Sequence, residues 1–266
     1  MTESVLTLLD LDGTYLKQHT LQKQHTPHLI DLSDIKGKNL YCEDQAFSQM
    51  TERLSMHIKT PITLIGSGNY HYVSYYYLSQ LLEPFTLILL DHHSDMLEQE
   101  QWLTCGSWVA RALRTLSLLD QVIMIGVNPK TLSNIPPDLL SRIHVLPKAE
   151  DLHESFNTLS SIIPTDSIYI SVDKDVFSEQ IVKTNWDQGT MTFKDLDLLF
   201  QTLSQYHLSG IDICGEWPVH PEDQLLPRNQ IITQKNEKAN LIIIEKTKQY
   251  FLNTFKQQVK TNPIVS

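Results

Sequence analysis

Short apolar runs alternate with longer amphipathic stretches along this chain, and this alternation is the feature that most constrains its fold. The runs are nearly continuously apolar, which is typical of strands buried on both faces. They cover residues 4–11, 62–68, 86–91, 121–127, 142–146, 167–173 and 208–214. The stretches between them have helical periodicity, at residues 45–58, 71–83, 104–119, 150–162, 193–206 and 236–258. The pattern predicts a parallel sheet covered by helices on both faces.

Residues 1–266 are interpreted as one α/β domain, since this length suits a single large domain and no composition shift divides it. Residues 215–235 are polar and contain Pro218, Pro221 and Pro227. That composition predicts a loop near the C-terminal end rather than a linker between domains.

The composition excludes several classes of function. A formal net charge of −10 argues against nucleic acid or an anionic membrane surface as a partner. The three cysteines are too few for a disulfide framework, which favours a reducing compartment. The first residues lack a basic signal-peptide region, and the apolar runs are too short to span a membrane. We therefore expect a cytoplasmic protein with a small-molecule partner.

Polar side chains follow the ends of three predicted strands. In parallel sheets, ligands gather outside the carboxyl ends of the strands. Asp91, His93 and Asp95 form a D-x-H-x-D pattern, and alternate residues of an extended segment share one face. A second alternating pair ends the 167–173 run, and a histidine follows the 62–68 run. The sequence thus places six candidate ligands at one sheet edge: His71, Asp91, His93, Asp95, Asp173 and Asp175.

The chemistry of this ligand set favours divalent cations. Clustered carboxylates without cations would repel one another and take up protons. A hard mixture of oxygen and imidazole ligands suits Mn²⁺ or a similar ion, and six ligands exceed what one ion usually needs. We therefore predict two divalent metal ions, most consistent with Mn²⁺.

Three segments carry a resemblance to a known family. GNYHY (68–72), DHHSD (91–95) and DKDVFSE (173–179) are similar, in the same order, to G-G-D-H-S, D-A-H-x-D and D-x-D-x-x-D-P. These are the metal motifs of the arginase/agmatinase/formimidoylglutamase (ureohydrolase) family. WDQGTMTFKDL (186–196) and GIDICGEWP (210–218) are similar to two later family segments.

The resemblance implies a fold, an activity and the role of each ligand. The fold would be a three-layer α/β/α arrangement with a mostly parallel sheet of about eight strands, in a homo-oligomer. The activity would be hydrolysis of a C–N bond in a guanidine or amidine. The first metal would be held by His71, Asp91, Asp95 and Asp173. The second would be held by Asp91, His93, Asp173 and Asp175.

The sequence departs from the family at two positions that concern the substrate. Cys105 occupies the place of the family's proton-shuttle histidine, so it is either a catalytic thiol or a small buried residue at a helix start. The family's substrate-binding glutamate aligns with Gly215, and Glu216 next to it either replaces that glutamate or has no role. These departures predict weak or absent urea release from arginine.

Two other functions stay open on the sequence. The segment LTLLDLDGTYL (6–16) resembles the nucleophile motif of haloacid-dehalogenase-like phosphatases, with Asp10 as nucleophile and Asp12 as acid/base. The simpler interpretation is a strand followed by an Asp-Gly turn. The second alternative is a catalytically silent metal-binding protein of the arginase-like fold.

Overall fold

The computed structural model describes residues 4–98, 101–146, 152–219, 221–223 and 225–261. The strands within these ranges are β1 (Leu6–Asp10), β2 (His28–Asp31), β3 (Tyr41–Cys42), β4 (Ile62–Leu64), β5 (Phe85–Leu90), β6 (Leu103–Thr104), β7 (Leu119–Ile125), β8 (Ile143–Leu146), β9 (Ser167–Asp173) and β10 (His207–Cys214). The α-helices are α1 (His19–His25), α2 (Asp44–Ser55), α3 (Ser74–Ser79), α4 (Trp108–Thr115), α5 (Leu152–Ile162), α6 (Phe193–Leu203) and α7 (Pro227–Thr261).

Eight strands form one sheet in the order β2-β1-β4-β10-β9-β5-β7-β8, and each neighbouring pair is parallel. This confirms the predicted parallel sheet. In the centre, Leu90 of β5 is in register with Val172 of β9, and Asp173 with Cys214 of β10. The carboxyl ends of these three strands therefore lie side by side. Strands β3 and β6 form a separate antiparallel pair.

Two hydrophobic cores cover the two faces of the sheet. Leu21, Leu159, Leu199 and Ile243 belong to one core and lie on α1, α5, α6 and α7. The other core takes residues from α2, α3 and α4, including Met50. Each fully buried aliphatic side chain contributes about 1.5–3 kcal/mol. The three-layer α/β/α prediction is confirmed, because helices pack on both faces.

Several segments differ from the sequence prediction, which did not include α1, β3 or β6. Strand β2 was not predicted, because Ile30 is the one buried side chain in its four residues and the segment shows no apolar run. The loop predicted at 215–235 is wrong beyond residue 226, where α7 begins at Pro227. Proline suits the first turn of a helix, whose N–H groups lack helical partners in any case. No described helix has the length and apolarity that a membrane span requires.

Candidate metal centre

The turns that follow three strands bring the six predicted ligands together. After β4, a 3₁₀ turn over Gly68–Val73 carries His71. The segment after β5 carries Asp91, His93 and Asp95, and β9 ends at Asp173, just before Asp175. One cavity of about 250 Å³ is lined by all six side chains: His71, Asp91, His93, Asp95, Asp173 and Asp175. The predicted grouping of these residues is therefore what the structure shows.

Three of these side chains surround the Nδ1 atom of a fourth, His71. That atom lies 3.2 Å from Asp91 Oδ2, 3.0 Å from Asp95 Oδ2 and 3.8 Å from Asp173 Oδ2. All four side chains are nearly inaccessible to solvent. Ligand atoms about 3–4 Å apart are the expected result when metal–ligand bonds of roughly 2.0–2.3 Å share one ion. This set therefore fits the first predicted metal position.

A second set surrounds His93. Its Nδ1 atom lies 2.8 Å from Asp175 Oδ2 and 3.5 Å from Asp91 Oδ1. Asp91 thus offers Oδ2 to the first set and Oδ1 to the second, as a bridging carboxylate does. Asp173 places its Oδ2 towards His71. Its Oδ1 accepts the N–H of Asp175 at 2.9 Å, just as Asp91 Oδ1 accepts the N–H of His93 at 2.6 Å.

One ligand of the first set has an unusual backbone. Asp95 has a φ of 51°, in the left-handed region that few residues other than glycine adopt. Its Oδ2 also accepts a hydrogen bond of 2.6 Å from Nε1 of the buried Trp108. The strained backbone and this hydrogen bond together hold the Asp95 carboxylate against His71.

The electrostatics of the cluster favour the binding of cations. Burial, followed by the charge of Asp91, raises the pKa of Asp95 to about 6. Burial and repulsion by Asp173 and Asp91 raise the pKa of Asp175 well above its usual value. Although burial opposes it, hydrogen bonds from the two histidines lower the pKa of Asp91. The cluster therefore holds protons that divalent cations would displace on binding.

Lys174 does not neutralise these carboxylates, although it stands between two of them in the sequence. Its fully buried Nζ donates to the carboxylate of Glu216 and, at 2.9 Å, to Asn240 Oδ1. Gln18 Nε2 donates to the other Glu216 oxygen at 3.0 Å. The predicted substrate role of Glu216 is not supported by this placement. Glu216 lines a separate cavity of about 340 Å³. Its pairing with Lys174 gives each of the two buried charges a counter-charge.

The neighbouring Gly215 explains why a glutamate is absent from that position. Gly215 has a φ of +85°, and a Cβ atom there would lie 2.4 Å from Asp173 Oδ1 and 2.7 Å from the backbone nitrogen of Lys174. A side chain at this position would displace a candidate metal ligand. The local packing therefore requires glycine.

Cys105 lines the same cavity as the six ligands. It follows the short strand β6, and its backbone N–H donates to Leu40 O at 3.1 Å. Burial, followed by the negative charge of Asp95, raises the pKa of the thiol to about 12. Cys105 is therefore a proton-carrying group at neutral pH, facing the space where a substrate would lie.

Two residues that the sequence analysis did not identify contact the far ring nitrogens of His93 and His71. Asp187 Oδ1 lies 2.8 Å from His93 Nε2, and Ser171 Oγ lies 2.8 Å from His71 Nε2. Such partners fix the orientation of a ligating imidazole. A hydroxyl within the apolar run of β9 was a detectable signal for Ser171. Asp187 lies in a long polar segment, where a carboxylate carries no such signal.

The phosphatase alternative receives no support from the structure. Asp10 Oδ1 accepts the N–H of Gly13 at 2.7 Å, and Asp12 Oδ1 accepts the N–H of Thr14 at 3.2 Å. Both carboxylates are thus occupied within their own turn and line neither of the two cavities described. The Asp-Gly turn interpretation is confirmed.

Comparison with known proteins agrees with this geometry. The sequence model of the Arginase family matches residues 7–223. An uncharacterized protein of Thermotoga maritima is 27% identical over 237 residues, which are 89% of this chain and 87% of that protein.

Solved structures show the same fold. Formimidoylglutamase from Bacillus subtilis is similar with a TM-score of 0.62 at 18% identity, over 91% of this chain and 86% of that one. Agmatine ureohydrolase of Thermoplasma volcanium is similar with a TM-score of 0.61 at 16% identity, over 92% and 90% of the two chains.

Proposed function

The chain belongs to the arginase family, and from that premise we propose that it is a two-metal hydrolase of a non-peptide C–N bond in a guanidine or amidine. The observation that carries the proposal is the position of Asp91. Its two carboxylate oxygens face two different histidines, at 3.2 Å from His71 and 3.5 Å from His93. A carboxylate shared in this way is what a pair of adjacent cations requires.

The side chains present fit two divalent ions. His71, Asp91, Asp95 and Asp173 would hold one ion, and Asp91, His93 and Asp175 the other. These oxygen and imidazole ligands favour a hard or borderline ion such as Mn²⁺, and the neighbouring Cys214 thiol donates to Asp173 Oδ2 at 3.1 Å. When bound, the two ions would supply Lewis-acid activation of water for attack on the guanidine or amidine carbon.

The protein's own residues would supply proton transfer and shelter from solvent. The protonated thiol of Cys105 lines the cavity and is positioned to give a proton to the departing amine nitrogen. Trp186 lines the same cavity, and its ring centroid lies 5.6 Å from that of His93. This indole covers one side of the second ligand set.

The neutral residues that line the cavity favour a substrate with an uncharged tail. Apart from the six ligands, the described lining residues are neutral and include Leu40, Tyr41, Leu97, Thr131 and Asn134. A charged α-amino and α-carboxylate group would find no ionic partner among these described lining residues, only neutral hydrogen-bonding groups. We therefore propose that arginine is a poor substrate and that guanidines or amidines with neutral tails are preferred.

Metal analysis combined with a substrate panel tests the proposal. The purified protein, loaded with Mn²⁺, is expected to hold about two ions per chain, and Asp91→Ala and Asp173→Ala should lose them. Asp10→Asn is the matched control and should keep both metal and activity. Guanidino and amidino compounds should release urea or ammonia with the wild type. Unchanged metal content in Asp91→Ala would refute the site, and metal binding without turnover of any compound would favour the silent alternative.

A further inference from the structure

A buried chain of hydrogen bonds leads from the sheet to the ring of His71. His71 Nε2 lies 2.8 Å from Ser171 Oγ, on β9. Ser171 in turn donates to Asp212 Oδ1, on β10, at 2.7 Å. Both Ser171 and Asp212 are completely buried. The other Asp212 oxygen accepts the hydroxyl of Tyr169 at 2.9 Å, so the carboxylate has a donor on each side.

The direction of these hydrogen bonds determines where His71 carries its proton. A serine hydroxyl has one proton to donate, and Ser171 gives it to Asp212. Towards His71 the hydroxyl oxygen is therefore an acceptor, and Nε2 of His71 must bear hydrogen. The lone pair of a neutral His71 then lies on Nδ1, the atom that faces Asp91 and Asp95 at 3.2 and 3.0 Å.

The sheet itself fixes this arrangement. Ser171 and Asp212 are direct partners in the register between β9 and β10, so their side chains leave the sheet on the same face. The arrangement therefore places a proton on Nε2 of His71 and fixes the orientation of the ring, so that Nδ1 is the nitrogen left to face an ion.

We propose that Ser171 and Asp212 are positioning residues that hold His71 with its proton on Nε2 and its Nδ1 lone pair directed at the first metal position. This inference rests on the proposed function, because it assigns the role of a residue behind a proposed metal ligand. Loss of such outer contacts typically weakens metal affinity by about 10–100-fold.

Calorimetric titration with Mn²⁺ measures the predicted effect on affinity. Ser171→Ala is expected to weaken Mn²⁺ binding by about 10–100-fold, and Ser171→Thr, which keeps a hydroxyl, should restore most of it. The matched control is Thr86→Val, which removes a buried strand hydroxyl that pairs with Thr165 at 2.8 Å, away from the ligands. Equal affinity of Ser171→Ala and wild type would overturn the inference while leaving the proposed function intact.

Variants of Asp212 test the second link. Asp212→Ala frees the Ser171 hydroxyl to donate to His71, so Mn²⁺ binding should weaken as much as in Ser171→Ala. Asp212→Asn keeps an oxygen that accepts from Ser171 and should bind nearly as tightly as wild type. Wild-type affinity in Asp212→Ala, with the fold intact by circular dichroism, would exclude Asp212 from the chain.

The proton position is measurable independently of Mn²⁺ affinity. In ¹⁵N-histidine-labelled protein, long-range ¹H–¹⁵N spectra should show Nε2 of His71 protonated, both without added metal and with Zn²⁺. The His71→Asn variant assigns the signal. An unprotonated Nε2 in the wild type would overturn the inference. Absence of binding by both Mn²⁺ and Zn²⁺ would instead refute the proposed function, a result distinct from an unprotonated Nε2 in the Zn²⁺-loaded protein.

Discussion

The ammonium group of Lys174 turns away from the two carboxylates beside it in the sequence and pairs with the buried carboxylate of Glu216. Both side chains are almost fully buried. The pair joins the end of β9 to the segment after β10, and Asn240 attaches it to α7. Glu216 therefore stabilises the fold beside the metal centre and leaves Asp173 and Asp175 to the proposed cations.

Breaking this pair is expected to destabilise the protein. Glu216→Gln leaves the Lys174 ammonium buried without a counter-charge, which typically costs about 3–5 kcal/mol of unfolding free energy. The double variant Lys174→Met/Glu216→Leu should recover most of that loss, because it removes both charges. Urea-induced unfolding measures each change. A stable Glu216→Gln that has lost turnover would instead assign Glu216 to substrate binding.

Alanine at Gly215 is expected to disrupt the metal centre. Its Cβ would collide with Asp173 Oδ1 in addition to straining a left-handed backbone. Gly13→Ala is the matched control, since Gly13 has a φ of +77° but its Cβ would meet its nearest neighbour at 3.7 Å. The control should lose about 1–2 kcal/mol from backbone strain alone. Gly215→Ala should lose more and bind less Mn²⁺; equal losses in the two variants would contradict the proposed collision.

Metal binding is expected to stabilise the protein more at alkaline than at acidic pH. The pKa of Asp95 is raised from 3.8 to about 6, so the folded protein holds this proton more tightly than the unfolded chain. Without cations, stability therefore falls as the pH rises from about 4 to about 6. Protons compete with cations below that range.

Thermal unfolding with and without Mn²⁺ tests this pH dependence. At about pH 8, Mn²⁺ at a hundredfold excess over its Kd should raise Tm by about 5–10 °C. At about pH 5 the increase should be much smaller, because the carboxylates are protonated. Asp95→Asn, which has no proton to lose at this position, should show a weaker pH dependence. Equal Tm shifts at both pH values in the wild type would contradict the competition.

Replacing Cys105 is expected to slow turnover without removing metal. A general acid typically contributes 10²–10⁴-fold, so Cys105→Ala should lower kcat on the best substrate of the panel by about 10²-fold. Cys42→Ala is the control, since Cys42 is a buried thiol that does not line the cavity. Steady-state kinetics at saturating Mn²⁺ measure kcat for each variant. An unchanged kcat in Cys105→Ala would make Cys105 a packing residue at a helix start.

The grouping of the six candidate ligands in one cavity was predictable from the sequence because it depends on local spacing. Asp91, His93 and Asp95 alternate at the end of an apolar strand, and the carboxyl ends of parallel strands meet at one edge. That reasoning assumed an extended segment, whereas Asp95 has a left-handed backbone. The chain also bends at residues 92 and 93, and the three side chains still line one cavity.

The surroundings of the ligands were not predictable, because they depend on contacts between distant elements. The partner of Glu216 is fixed by α7, which supplies Asn240. The partner of His71 is fixed by the register of β9, a hundred residues further along the chain. A single sequence does not specify that register or that docking, so the contact of Ser171 with His71 was missed and the partners of Glu216 were not predicted.

Anomalous scattering at the manganese edge from Mn²⁺-soaked crystals tests the central claim most directly. We expect two peaks about 3.5–4 Å apart, with the Asp91 carboxylate between them, His71 on one side and His93 on the other. One peak, or none, within reach of Asp91 would contradict a two-metal centre and with it the proposed hydrolase.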